Sequence, residues 1–135
     1  MKINTFIILS LIFILTSCEK ISNETDPTKI ILGKWEIIEM GNWPNMEPID
    51  KSTVFKEYLP DSVLREYEYS KQAYTFYNKY WIDSLLYEYA YLQEEDRYVT
   101  IGRYTFEFFD RNRKLRLDYS NIYALYNTFI WKRIR

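Results

Sequence analysis

A chain of 135 residues is long enough for one domain and too short for two independent cores. Its 18 basic and 19 acidic residues leave a net charge of −1, which excludes a polyanion-binding protein built on bulk charge, so no nucleic-acid partner is indicated. With no histidine and one cysteine, His-supported nucleophilic catalysis, histidine metal sites and an internal disulfide are excluded together. No enzyme and no cofactor is implied.

The N-terminus is short and basic, and the apolar run 6–15 that follows is too short to anchor a chain across a bilayer. It reads as the hydrophobic core of a secretory signal peptide. The next residues, Leu15-Thr16-Ser17-Cys18, resemble the bacterial lipobox. That resemblance implies cleavage after Ser17, removal of residues 1–17, and acylation of Cys18, which then anchors the chain to a membrane through its acyl chains. The residues alone also fit a plain secretory peptide that leaves a free thiol. Residues 18–28 are polar and contain Pro27, so they read as a flexible tether in which the proline breaks regular structure. Glu19 in place of aspartate, under the sorting rule of Gram-negative lipoproteins, implies the outer membrane, with periplasmic and surface-facing placement both open.

From residue 29 to 135 short runs of alternating character are separated by turn-forming residues, the pattern of an all-β sandwich or barrel. Eight strands are predicted, over residues 31–40, 53–59, 63–69, 73–81, 85–92, 98–109, 114–119 and 128–134. A loop with Gly41, Pro44 and Pro48 follows the first. Pro60-Asp61, the acidic run 93–96 and residues 110–113 supply turns. The period decides the assignment. Val63, Tyr67 and Tyr69 oppose Glu66 and Glu68, and Leu115, Leu117 and Tyr119 oppose Lys114, Arg116 and Asp118. Residues 85–92 remain divided, because Leu86, Tyr89 and Ala90 also form a helical stripe. Closure of eight antiparallel strands into a small up-and-down barrel would remove the exposed edges of a tyrosine-rich sheet.

The opening Leu32-Gly33-Lys34-Trp35 resembles the Gly-x-Trp first strand of lipocalins, and the ending Trp131-Lys132-Arg133-Ile134 is similar to their basic last strand. Together with the lipobox, these ends resemble small bacterial lipocalin-like lipoproteins. The resemblance implies a calycin-type barrel plugged at one end by Gly33, Trp35 and Arg133, with Lys132 and Arg135 competing for the arginine's place. It also implies a small hydrophobic or amphipathic ligand, for which Tyr67, Tyr69, Phe106, Phe108 and Leu117 are the expected lining.

Two further chemistries are weighed on the residues themselves. Glu66 and Glu68 share a strand face and could bind a cation or act as acid and base, against the plainer reading of a solvated face. The aromatic residues, 19% of the chain with 14 tyrosines, could line a ligand site, stack on sugar rings or meet a protein. The plainer expectation is that they fill the barrel. A solid barrel acting as a structural or protein-interaction module is the alternative to a ligand carrier.

Overall fold

The computed structural model describes residues 22–120 and 124–135; the expected signal peptide and Cys18 lie outside them. The fold is all-β. After a four-residue helix, α1 (Pro27–Ile30), come β1 (Gly33–Asn42), β2 (Asn45–Pro48), β3 (Val54–Tyr58), β4 (Val63–Glu68) and β5 (Ala73–Ile82). They are followed by β6 (Leu86–Leu92), β7 (Arg97–Phe109), β8 (Lys114–Tyr119) and β9 (Thr128–Ile134). Every neighbouring pair is antiparallel, and β9 pairs back onto β1 from Lys34↔Ile134 to Gly41↔Thr128, so the sheet closes in a ring. Among the described residues no helix is long and apolar enough to cross a membrane.

All eight expected strands are present, and residues 85–92 take the strand alternative. The ninth strand, β2, occupies part of the expected loop. β3 pairs with β1 only as far as Glu36↔Phe55, which leaves the far half of β1 open on that edge. β2 folds back to cover it from Glu39↔Pro48 to Asn42↔Asn45. Pro48, with no N–H to donate, is tolerated because it ends a short edge strand. A side chain at Gly41 would place its Cβ 2.2 Å from the Asn45 carbonyl oxygen, so this hairpin requires glycine.

Pro27 is not a breaker here. It opens α1, where its missing N–H costs nothing, and Asp26 caps the helix by accepting from the Thr28 N–H at 3.0 Å. The expected tether is also tied to the ring before residue 29, since Asn112 Nδ2 donates to the Glu24 carbonyl at 2.9 Å.

Because cross-strand partners share a face, the register sorts the side chains. Trp35, Lys56, Glu66 and Phe76 lie in one row on the inner face; Glu36, Phe55, Tyr67 and Tyr74 form the neighbouring row outside. The core comprises Ile31, Trp35, Ile37, Tyr58, Leu64, Tyr80, Ile82, Leu86, Leu115, Leu117 and Trp131, joined by Phe106, Phe108 and Phe129. Trp35 is fully buried. It meets Phe108 at 6.0 Å between centroids, and its indole N–H donates to the Ile31 carbonyl at 2.7 Å. Replacing it with alanine removes a large buried ring and a buried donor at once. Trp35→Ala is expected to cost about 3–5 kcal/mol, read as a lowered midpoint in chemical denaturation.

Candidate functional site

Three regions concentrate chemistry. The first is the part of the ring where β1 meets β9. Arg133, paired with Trp35 in the β1–β9 register, lays its guanidinium over the indole with the central carbon 4.3 Å from the ring centroid. Its Nη1 donates to the Leu32 carbonyl at 2.6 Å, its Nη2 to the Ile30 carbonyl and its Nε to the Asn112 carbonyl at 3.2 Å. One side chain thus ties the last strand to the start of the first and to the β7–β8 turn. Gly33 sits at φ +115°, and a Cβ there would lie 3.0 Å from Arg133 Nη1. Burial pulls the guanidinium pKa down, with three carbonyls standing in for water. Lys132 and Arg135 are exposed.

The second region is a polar brace through the ring interior. Lys56 Nζ donates to both carboxylate oxygens of Glu88 at 2.7 and 2.8 Å, and the Tyr58 hydroxyl donates to Glu88 Oε1 at 2.7 Å. The Lys56 ammonium also lies 5.2 Å from the Trp131 ring and 5.9 Å from that of Tyr104. β3 and β6 are separated in the sheet by β4 and β5, so these bonds run across the lumen. Glu88 is 3% exposed. Burial pushes the Tyr58 hydroxyl far up, with the Glu88 carboxylate adding to it. Opposite Glu88, Gly102 leaves room for the Tyr104 ring, whose atoms lie 2.4–2.7 Å from where a Cβ would stand. The Trp131 indole N–H is buried beside this cluster without a hydrogen-bond partner. Sequence reasoning missed Lys56 and Glu88. The available signal was Glu88 alternating with Leu86 on one strand face.

The third region is the outer face of β3 to β7. Phe55 stacks on Tyr67 at 4.8 Å and meets Tyr69 and Tyr74 edge-on at 5.7 and 6.0 Å. Carboxylates hold the rims of these rings. The Tyr69 hydroxyl donates to Glu36 at 2.7 Å and the Tyr74 hydroxyl to Glu57 at 2.6 Å; Glu57 also takes the Arg65 guanidinium at 2.6 Å. Burial and then those carboxylates push both hydroxyls up to about 12. Glu57 is itself pushed up by burial, but Tyr74 and Arg65 outweigh that and hold it below the usual carboxylate range.

The expected ligand lining is therefore divided. Tyr67 and Tyr69 stand outside the ring, because the β3–β4 register pairs Phe55 with Tyr67 on the face opposite Trp35. Phe106, Phe108 and Leu117 face inward and are packed into the core, with Leu117 at 1% exposure. A concavity of about 420 Å³ lies beside Tyr91 to Glu95 and one of about 210 Å³ beside Thr100 to Arg103, Tyr119 and Ser120; none of the five lines either. Many of the tyrosines expected to fill the barrel instead decorate its exterior. Glu66 lies on the inner face with Leu64, whereas Glu68, at the end of β4, takes the exposed Lys71 at 2.7 Å and the Ser70 hydroxyl at the surface. Among the described residues no three acidic or cysteine side chains converge to hold a metal.

No family model matches the chain, and no curated protein matches it in sequence.

Removing one member of the brace strands the other. Lys56→Met is expected to cost about 3–5 kcal/mol because it leaves Glu88 buried and unpaired, whereas Lys56→Met with Glu88→Met costs far less than the two changes summed. A double-mutant cycle by urea denaturation reads this directly.

Glu66 supplies a pH dependence. Burial, with Glu88 and Glu68 adding to it, holds its carboxyl above the usual range despite the opposing Lys56. The folded state then binds that proton more tightly than the unfolded chain. Its stabilising effect is complete below the unfolded value of about 4.3 and is lost as pH rises through the higher folded value. Glu66→Gln is accordingly expected to raise the melting temperature at pH 7 and to flatten the loss of stability between pH 4 and 7.

Proposed function

We propose that the chain is a lipocalin-like lipoprotein of the cell envelope, held on the outer membrane through acyl chains on Cys18, whose barrel is a solid, non-enzymatic scaffold presenting its outer face to a partner. The anchor rests on Leu15-Thr16-Ser17-Cys18 and the apolar run before it. The lipocalin likeness is supported by the junction of β1 and β9, where an arginine from the last strand covers the tryptophan of a Gly-x-Trp first strand.

The observation that carries the scaffold reading over a small-molecule carrier is the Lys56–Glu88–Tyr58 brace. A charged pair linking β3 to β6 across the lumen occupies the space where a hydrophobic ligand would lie, and displacing it would leave a charge buried in an apolar wall. Lys56 is the cross-strand neighbour of Trp35, so the brace adjoins the Trp35 ring on the inner face and a ligand entering there would have to displace it. In this reading binding belongs to the exterior.

Two measurements test the proposal. Labelled palmitate is expected to enter the wild-type protein and not Cys18→Ser, and that variant is expected to move from the membrane fraction to the soluble fraction; a variant that stayed membrane-bound would overturn the anchor. Native mass spectrometry of the detergent-extracted protein is expected to show the polypeptide with its acyl chains alone. A copurified hydrophobic molecule retained in the barrel would replace the scaffold reading with a carrier.

A further inference from the structure

The outer face of β5 to β7 differs from the neighbouring outer face of β3 and β4 in how its charges are matched. Two cross-strand rows define it. Trp81, Tyr87 and Arg103 stand side by side in one row, and Lys79, Tyr89 and Thr100 in the next. Strand spacing makes each row about 10 Å long and sets the two rows about 7 Å apart. The Tyr87 and Tyr89 rings are 6.3 Å apart and within 17° of parallel. Trp81 is 57% exposed, and its indole N–H is engaged by Asp83 at 3.1 Å, which fixes the ring while leaving its face open.

On β3 and β4 the cation Arg65 is matched to Glu57 at 2.6 Å. Lys79 and Arg103 are not matched in this way. Among the described residues neither has a carboxylate within 4 Å, whereas Arg97 on β7 and Arg116 on β8 both do. Arg103 also borders the concavity of about 210 Å³ that continues this face toward Tyr119 and Ser120. An aromatic platform with parallel rings, two unmatched cations and an adjoining recess has a defined complement.

We infer that this face binds an acidic oligosaccharide, with sugar rings lying on Trp81 and beside Tyr87 and Tyr89 and their carboxylates paired with Arg103 and Lys79. The inference rests on the scaffold reading, in which binding is exterior, and not on the anchor. Other occupants fit less well. A purely apolar partner would bury two cations without counter-charge. A neutral glycan would satisfy the rings and leave both cations unused. A single-stranded nucleic acid needs a continuous cationic track along its backbone, and two cations in separate rows do not make one. Arginine presents a planar fork that matches a carboxylate bidentately, and the exposed Trp81 ring offers a flat face to the C–H side of a pyranose, with the edges of Tyr87 and Tyr89 beside it.

The experiment is isothermal titration calorimetry of the full chain in detergent with hexagalacturonate as probe, maltohexaose as its neutral counterpart and a dT oligonucleotide as competitor. Hexagalacturonate is expected to bind at least about tenfold more tightly than maltohexaose, and more weakly as salt screens the two cations. Trp81→Ala and Arg103→Gln are each expected to weaken it by about tenfold or more. Both side chains are exposed, so the thermal melts of the variants should stay close to wild type and serve as the folding control. Equal affinity for the neutral hexasaccharide, no binding of hexagalacturonate, indifference to both substitutions, or preference for the oligonucleotide would each overturn the inference. A hydrophobic molecule found in the barrel would instead strike at the scaffold reading and leave this titration standing on its own result.

Discussion

The closure of the sheet depends on one side chain crossing from the end of the chain to its beginning. Arg133 closes the ring sterically by covering Trp35 and chemically by donating to carbonyls of Ile30, Leu32 and Asn112. Those carbonyls belong to the segment entering β1 and to the β7–β8 turn, which have no ladder partners to satisfy them. A buried guanidinium is costly unless its donors are used, and here three directions of the fork are used at once. Lysine could supply the charge but not the geometry. Gly33 follows from the same constraint, because the backbone adopts φ +115°, which side chains rarely take, and a Cβ there would crowd the guanidinium at 3.0 Å. The contact therefore specifies Gly33, Trp35 and Arg133 jointly, and the rest of the ring inherits its register from the β1–β9 pairing they secure.

A ring closed in this way has a small interior, and what fills it decides what the protein can hold. The apolar layer around Trp35, Leu64, Phe108 and Leu115 is conventional packing. The layer of Lys56, Tyr58 and Glu88 is different, since a buried ion pair brings little net stability compared with well-packed apolar groups. Its contribution is specificity. β4 and β5 lie between β3 and β6 in the sheet, and a carboxylate that takes three hydrogen bonds from Lys56 and Tyr58 of β3 fixes their distance across the lumen. The nearby Glu66 carboxyl, raised by its surroundings, marks the cost of concentrating polar groups there.

The strands were legible in the sequence because most alternate cleanly: in residues 114–119 Leu115 and Leu117 oppose Lys114 and Arg116, and no helix satisfies that period. The Trp35–Arg133 contact was legible because Gly-x-Trp and Trp-Lys-Arg are local patterns, one in the first strand and one in the last. The face of the aromatics was not. In β4 tyrosines alternate with glutamates, and the usual rule puts Tyr67 inside and Glu66 outside. The register reverses this, because Trp35 pairs with Lys56 and Lys56 with Glu66. A strand whose two faces are both amphipathic carries no internal sign of which one is buried. That information lies in the pairing of Lys56 with Trp35, 21 residues before it, and the Lys56–Glu88 contact spans 32 residues. β2 was missed for a related reason: it forms only because β3 stops pairing with β1 at Glu36, which nothing in residues 45–48 announces.

Placing the tyrosines outside resolves a difficulty that an inward placement would create. Each buried tyrosine hydroxyl needs a partner, and a narrow lumen offers few; Tyr58 takes Glu88 and Tyr80 takes the Leu59 carbonyl at 2.7 Å. On the exterior, each ring can pack against its neighbours while its hydroxyl reaches a carboxylate at the rim. Phe55 shows how far this goes, for it lies on the outer face yet is only 7% exposed beneath Tyr67, Tyr69 and Tyr74. The outer face of β3 and β4 thus supplies its own cover and needs no partner. The same density of rings continues onto β5, β6 and β7, but there Trp81 and Tyr98 stay exposed and Lys79 and Arg103 stay unmatched. The boundary between a self-covered and an uncovered aromatic surface falls between adjacent strands of one sheet, so it reflects the placement of charges rather than the composition of the strands.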